Sequence, residues 1–306
     1  MKKPVILFLV IFATLLSLKF YIIQNEGEEG RTLAAQAGIS SAHAADKQKE
    51  TVYDRVMRTG KIRCGYVAHD PYVVIDPNTT KKSGIMHDVM EEIGRRQGFE
   101  IEWTAEVGWA DFITGLEYGH YDILCSGGWN SANEGKLIGY TKPVYFQGIG
   151  IWVRTDDMRF DDHKELLNSP DVTVASGDGS LVSVIGQTDF PQAKILSLPN
   201  LNMATDFMQM VAMKKADVTF LSVYTGNRFI QNNPGTLKNI ATETPIRVFP
   251  TSFIIPHDDY RLQQTLNAAI DELTYSGFID RVLDRYESGI PGSFYRVAKP
   301  YAVPGK

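Results

Sequence analysis

Short apolar runs of β type alternate with amphipathic helical stretches along most of this chain. Residues 61–67 and 121–125 each have the composition of a buried strand. Between them, Ile85, Val89 and Ile93 recur at the spacing of one helix face. Strands separated by helices of about ten residues are typical of βαβ units. The alternation therefore predicts an α/β fold built on a mostly parallel sheet.

The same order of elements occurs twice. Residues 171–175, 194–198 and 217–221 again have strand composition, and a tight loop at 176–180 opens a helix. Each half contains an acidic residue directly before an apolar strand. The length of 306 residues corresponds to two domains at about 100–200 residues per domain. The repetition therefore predicts two similar lobes.

The N-terminus has the pattern of an export signal. Two lysines precede an apolar run, and residues 4–23 are long enough, at about 30 Å as a helix, to cross a bilayer. The positive charges place the N-terminus inside. Small-x-small sequences at 35–37 and 42–44 are cleavage sites in form but lie far from the run. We expect a signal peptide or a retained membrane anchor at 1–23, then a linker or leader at 24–50.

The composition excludes several classes of function. A net charge of −5 argues against a nucleic-acid-binding protein, which usually has a basic face. Two cysteines are too few for a four-cysteine zinc site, and the six histidines lack metal-ligand spacing. The sequence contains no P-loop and no nucleophile elbow. We therefore expect no catalytic residues, no metal, no cofactor and no nucleic-acid partner.

Eight short motifs, in order between residues 51 and 288, resemble one known family. Among them are Gly119-His120-Tyr121-Asp122, Tyr140-Thr141-Lys142-Pro143 and Lys215-Ala216-Asp217-Val218. This order resembles the family 3 extracellular solute-binding proteins, the amino-acid-type receptors of bacterial ABC importers. The other motifs that carry the resemblance are 56–67, Asp70-Pro71-Tyr72, 84–88, 109–116 and Ser176-Gly177.

The resemblance implies a binding protein with two lobes, and the lack of a catalytic constellation predicts that it has no enzymatic activity. The expected fold is α/β, with two Rossmann-like lobes joined by a two-strand hinge, the type II periplasmic binding protein fold. Lobe I would comprise 51–147 and 249–290, and lobe II 148–248. Residues 291–306 would form a C-terminal tail that lies along the surface or stays loose. A periplasmic monomer of this kind closes its lobes on a small solute and delivers it to an ABC transporter permease.

The pocket residues depart from the family's pattern. Receptors of this family usually hold the ligand carboxylate with an arginine, and Glu134 stands at that position. An anion there would repel a carboxylate. Lys136 would point about 200° away if the segment is helical. The family's aspartate for the ligand amino group aligns with Ser222. Both ends of the α-amino-acid clamp are therefore missing on this alignment.

Aromatic and acidic residues occupy the predicted cleft instead. Trp129 stands where the family has a small polar contact, and Asp178 follows the glycine of the second-lobe loop. Aromatic faces combined with carboxylates suit an organic cation or an amine. The predicted ligand-binding residues are Tyr72, Trp109, Trp129, Glu134, Asp178 and Ser222.

These residues also have structural interpretations. Trp129 would serve packing, and Asp178 would be a turn residue or an N-cap. Glu134 would be solvated, or would pair with Lys136 or Lys142. A cleft for a neutral or aromatic compound remains a further alternative.

The two cysteines, Cys64 and Cys125, each lie in a predicted core strand. In the family these strands are neighbours, and a disulfide is conceivable in an oxidising periplasm. Because adjacent parallel strands usually have poor geometry for a disulfide, the prediction is two buried free thiols.

Two other functions remain open. A retained anchor at 4–23 would favour a membrane-anchored sensor or accessory binding subunit. Cyclohexadienyl dehydratases resemble the same family and use a cleft carboxylate as acid and base, for which Glu134 would be the candidate. They keep the carboxylate-binding arginine that this chain lacks, which disfavours the enzyme.

Overall fold

The protein is described here by a computed structural model that covers residues 50–198 and 204–299. The predicted signal peptide or anchor at 1–23, and nearly all of the leader at 24–50, lie outside these described residues. Within them, no helix is both long and apolar enough to cross a membrane.

Strands and helices alternate through the described ranges much as the periodicity predicts. The strands are β1 (Lys61–Tyr66), β2 (Val74–Ile75), β3 (Lys82–Ser83), β4 (Glu100–Glu106), β5 (Ile123–Trp129), β6 (Ile138–Tyr140), β7 (Tyr145–Arg154), β8 (Thr173–Gly177), β9 (Lys194–Leu198), β10 (Val218–Ser222), β11 (Leu237–Asn239), β12 (Arg247–Pro256) and β13 (Phe294–Tyr295). The α-helices are α1 (Val52–Thr59), α2 (Ile85–Gln97), α3 (Phe112–Glu117), α4 (Leu181–Asp189), α5 (Ala204–Ala212), α6 (Val223–Asn232), α7 (Tyr260–Tyr275) and α8 (Phe278–Tyr286).

One large sheet runs through the fold in the order β4-β1-β5-β12-β7-β10-β8-β9. At one end β1 is parallel to β4 and β5, and at the other end β8 is parallel to β9 and β10. The ten-residue strands β7 and β12 form an antiparallel pair between the two parallel halves. The two halves are therefore joined by two long strands, as expected for a two-strand hinge.

The buried apolar residues follow the same division. One cluster draws mainly on residues 56–145 and 253–294, and contains the predicted face of α2, Ile85, Val89 and Ile93, all fully buried. A second cluster extends from Ile149 to Ala241. Each parallel half of the sheet thus has its own core.

In each half an aspartate binds the backbone of the central strand, which is β1 in the first half and β8 in the second. The backbone N–H of Asp122 donates to the Arg63 carbonyl, and its carboxylate accepts from the Arg63 N–H at 2.7 Å. The backbone N–H of Asp217 donates to the Thr173 carbonyl, and its carboxylate accepts from the Thr173 N–H at 2.9 Å. The acidic residue before an apolar strand therefore makes the same two backbone hydrogen bonds in both halves.

The prediction of free thiols is wrong, because Cys64 and Cys125 form a disulfide. In the β1–β5 ladder Cys64 pairs with Ile123, two residues before Cys125. The Cα atoms of the two cysteines are 5.4 Å apart, within the range that a disulfide requires. The link therefore joins two neighbouring parallel strands.

The expectation of a loose tail at 291–306 is wrong at its beginning. Phe294 and Tyr295 form β13, which pairs with β7 opposite Gln147 and Phe146. The Phe294 side chain is buried, with its ring 5.2 Å from that of Tyr224. Phe294 belongs to the first core cluster, and its N–H donates to Glu287 Oε1 at 2.8 Å.

Candidate functional site

A cavity of about 520 Å³ lies where strands of the first half end and two helices of the second half begin. One side includes residues at the ends of β1, β4 and β5 or just after them, such as Val67 and Trp129. The opposite side includes Ser180 and Ser222, the N-caps of α4 and α6. Strand ends and helix starts meet at such crevices in open α/β sheets, and ligands bind there. This cavity is therefore the candidate site.

Tyr72 ties the loop after β1 to both long strands. Its hydroxyl donates to Gln147 Oε1 on β7 at 2.5 Å, and Gln147 Nε2 donates to Thr251 Oγ1 on β12 at 2.6 Å. All three side chains are buried and line the cavity. Burial raises the pKa of Tyr72 well above its usual range, so the hydroxyl remains a donor. Tyr72 thus belongs to the cavity wall and to the junction of the halves.

Two tryptophans form part of the wall. Trp129, the last residue of β5, stacks on Phe249 of β12 with the ring centres 5.1 Å apart. Trp109 is 39% exposed in the loop after β4. Its ring lies 4.0 Å from where a Cβ atom on Gly128 would stand. Trp129 therefore has a packing partner and a cavity-facing position, whereas Trp109 retains an accessible face.

The end of β5, which forms part of the cavity wall, depends on the backbone conformation of Gly127. Its φ of +74° lies in the left-handed region, and a Cβ atom there would come within 2.7 Å of the Met86 side chain. The strand therefore needs glycine directly before Gly128 and Trp129.

Glu134 contributes a carboxylate to the cavity from the short 3₁₀ helix Glu134–Lys136. Its Oε2 atom accepts from the Tyr140 hydroxyl at 3.2 Å. Partial burial raises the pKa of Glu134 above its ordinary value. Within the described ranges it forms no ion pair, and Lys142 instead pairs with Asp271. The alternative of a Glu134–Lys142 pair is therefore wrong.

Ser222 lies in the wall, and Asp178 does not. The Ser222 hydroxyl accepts from the Thr225 N–H at 3.2 Å and is within 2.8 Å of Thr225 Oγ1, so it caps α6. Asp178 is exposed and lies outside the wall, although Gly179 and Ser180 line it. The loop turns at Gly179, where φ is +67°. Five of the six predicted residues thus meet around one cavity, and their role in ligand binding stays a prediction.

Sequence reasoning missed two titratable residues of the wall, Glu106 and His69. Glu106 is the last residue of β4, and its position at the end of a predicted strand could have indicated it. His69 stacks on Tyr72 at 5.2 Å, and burial lowers its pKa. His69 is therefore neutral at pH 7, and Glu106 adds a second carboxylate.

The cavity wall has acidic and aromatic character. In the described part of the chain, no lysine or arginine lines it. The same part contains no cluster of three or more potential metal ligands. The aromatic side chains of the wall are Tyr72, Trp109, Phe112, Trp129 and Phe207.

Helix α6 connects the two sides next to the cavity. The Tyr224 hydroxyl donates to Asp70 Oδ2 at 3.2 Å, and Arg228 Nε lies 3.4 Å from the same oxygen. Further along the helix, Gln231 Nε2 donates to the Gly289 carbonyl at 3.2 Å. The two contacts to Asp70 hold the second half against the loop that carries Tyr72, and the contact to Gly289 holds it against the segment after α8.

Comparison with known protein sequences identifies one family and a relative. The bacterial extracellular solute-binding proteins, family 3, match residues 62–289. The chain is 23% identical over 210 residues to the "Probable histidine-binding protein" of Campylobacter jejuni, covering 68% of this chain and 78% of that protein.

Solved structures with the same fold include an amino-acid-binding protein, a periplasmic domain and a histidine kinase sensor domain. An ancestral amino-acid-binding protein, a precursor of cyclohexadienyl dehydratase, matches with a TM-score of 0.65 and 21% identity, over 78% of this chain and 99% of its own. The periplasmic VFT2 domain of Bordetella pertussis BvgS matches with a TM-score of 0.66 and 18% identity, over 76% of this chain and 96% of its own. At these identities the likeness is one of fold. The predicted two-lobed type II periplasmic binding protein fold is confirmed.

Proposed function

Because the chain belongs to the family 3 bacterial extracellular solute-binding proteins, we propose that it is a periplasmic receptor for a small cationic or amine-bearing solute. It captures this solute between two lobes and delivers it to an ABC transporter permease. The observation that carries the proposal is the cavity wall, which combines aromatic faces with the Glu134 carboxylate and, in the described ranges, has no lysine or arginine.

The charge of the wall selects against a ligand held by its carboxylate. Bidentate pairing with arginine is the strong way to bind a carboxylate, and Glu134 would instead repel one. A cation over an aromatic face gains about 0.5–2 kcal/mol, depending on how far it is desolvated. Trp109 offers such a face, and Glu134 offers the countercharge.

The proposed receptor has two lobes with defined boundaries. Lobe I comprises 51–147 and 249–290, and lobe II comprises 148–248. The antiparallel strands β7 and β12 act as the hinge, and closure brings the caps of α4 and α6 towards the strand ends of lobe I.

A thermal-shift screen of the full chain in mild detergent tests the ligand class. The screen compares amines, amino acids and organic acids. A ligand at about 100 times its Kd adds about 2.7 kcal/mol of stability, which should raise Tm by roughly 5 °C or more. We expect amines to give this shift. Stabilisation only by ordinary neutral or anionic α-amino acids would contradict the proposal.

Glu134→Gln should weaken binding of the best amine in that screen by about tenfold, because the neutral amide removes the countercharge of the site. Isothermal titration calorimetry measures the change in Kd. Asp178→Asn is the matched control, because Asp178 is an exposed carboxylate just outside the wall. Equal effects of the two substitutions would place Glu134 outside the binding site.

Amine affinity should also depend on pH. The ionised Glu134 carboxylate binds the cation, and burial raises its pKa above the ordinary 4.5. Amine affinity is therefore highest at pH values above the raised pKa of Glu134. It falls as the pH drops through that pKa, and this fall occurs at a higher pH than it would for an ordinary glutamate. Titrations between about pH 7.5 and about pH 4.5 measure this. The Glu134→Gln variant should show a weaker dependence than the parent, and an unchanged profile in that variant would exclude Glu134 as its source.

A membrane-anchored sensor or accessory binding subunit is the second candidate. The apolar run at 4–23 is long enough to remain as an anchor, and one structural relative is a histidine kinase sensor domain with similarity to periplasmic binding proteins. The mass of the exported protein distinguishes the two candidates. A soluble product that begins near residue 45 supports the released receptor and contradicts the anchored sensor.

A further inference from the structure

Glu106 lies at the cavity edge without a cationic partner in the described ranges. It ends β4 opposite Tyr66 of β1, and the next N–H, that of Val107, donates to the Tyr66 carbonyl at 2.9 Å. This bond fixes the strand end, so the position of Glu106 is determined by the sheet. Its side chain is exposed and lines the cavity.

The cavity therefore contains two carboxylates, those of Glu106 and Glu134. His69, which is neutral at pH 7, offers no countercharge, and the described wall contains no lysine or arginine. A ligand that carries two positive charges would match these two carboxylates in one cavity of about 520 Å³.

The two glutamates come from segments that follow strands on different sides of β1. The strands β4 and β5 are the two neighbours of β1, so the ends of β4 and β5 are about 10 Å apart at the usual strand spacing. Glu134 follows β5 by five residues. The ligand's two charges must therefore be separated by a spacer.

An aromatic side chain of the wall reaches from the β4 side of the cavity to β5. Trp109 comes from the loop after β4, and its ring reaches the β5 residue Gly128. Gly128 has no side chain, and Trp109 keeps 39% of its surface exposed. This surface suits a chain of methylene groups, which packs on an indole face while its charged ends reach the carboxylates.

We infer that the preferred solute is a diamine: two cationic nitrogen groups joined by a short apolar spacer, with no carboxylate. Glu134 binds one group, Glu106 binds the other, and Trp109 contacts the spacer. The inference rests on the proposed function, which requires only one cationic group at Glu134.

Calorimetry of the full chain in mild detergent, at one fixed ionic strength, tests the inference with three probes. Cadaverine has two ammonium groups, pentylamine has one on the same carbon chain, and lysine is cadaverine with a carboxylate added. We expect cadaverine to bind about tenfold more tightly than pentylamine or lysine. Glu106→Gln should weaken cadaverine binding about tenfold and weaken pentylamine binding much less.

Glu117→Gln is the matched control, because Glu117 is an exposed glutamate of α3 outside the cavity wall. It should change neither affinity. Equal binding of cadaverine and pentylamine, with both weakened by Glu134→Gln, would overturn the diamine and leave the proposed function intact. Tighter binding of lysine than of cadaverine would overturn the inference that the solute has no carboxylate. Binding of none of the three probes would overturn both proposals.

Discussion

Replacing Cys64 and Cys125 with serine is expected to lower the free energy of unfolding by about 4 kcal/mol. The disulfide closes a loop with a sequence separation of 61 residues. In the chain-entropy description, a loop of that length restricts the unfolded state by about 4 kcal/mol. Urea denaturation of the double variant and the parent, followed by circular dichroism, measures the difference.

Reduction of the parent protein is the internal control for this substitution. It should shift the urea midpoint nearly as far as the double variant, whereas reductant should not affect the variant. Equal midpoints for the oxidised and reduced parent would mean that the disulfide adds no stability.

The disulfide also lies next to the cavity. Val67 and Ser126 follow the two cysteines closely, and the Val67 N–H donates to Ser126 Oγ at 3.1 Å. Both residues line the wall. Loss of the link should therefore loosen the strand ends on which the ligand would rest, and weaken ligand binding as well as stability.

The sequence predicts the order of elements well and the ends of some strands less well. Residues 194–198 form β9 as predicted. The strand expected at 121–125 instead runs from Ile123 to Trp129. Gly127 and Gly128 resemble a strand end in the sequence, but pairing of Gly128 with Ser252 and of Trp129 with Thr251 on β12 extends the strand. Local periodicity cannot reveal a partner more than a hundred residues away.

The same distinction applies to the candidate site. Trp129 is the last residue of β5, and Tyr72, Trp109 and Glu134 lie in segments that follow strands of the first half. The resemblance to the family's motifs identifies these four positions as cleft residues. The position of Asp178 depends on a turn at Gly179, whose direction the residue types leave open. The partners of Phe294 and of the disulfide are likewise distant in the chain. Such contacts are decided by packing rather than by pattern.

Asp122→Ala is expected to lower the free energy of unfolding by about 3 kcal/mol, because it removes the acceptor of three donor groups. The Asp122 side chain is fully buried and pairs with Arg55 of α1 and Arg63 of β1. It also accepts the backbone N–H of Arg63. Removing one partner of a buried ion pair costs about 3–5 kcal/mol. The low end applies here, because both arginines are partly exposed and can reach water.

Asp217→Ala provides the comparison within the same fold, because Asp217 holds β8 as Asp122 holds β1. The Asp217 side chain is 19% exposed, and its partners Arg154 and Arg159 keep a second carboxylate, that of Asp157. Its removal should therefore cost less, about 1–2 kcal/mol. Urea denaturation of both variants ranks them. If Asp122→Ala lowers the free energy of unfolding no more than Asp217→Ala does, full burial of the carboxylate adds no stability. The two halves would then depend equally on their aspartates.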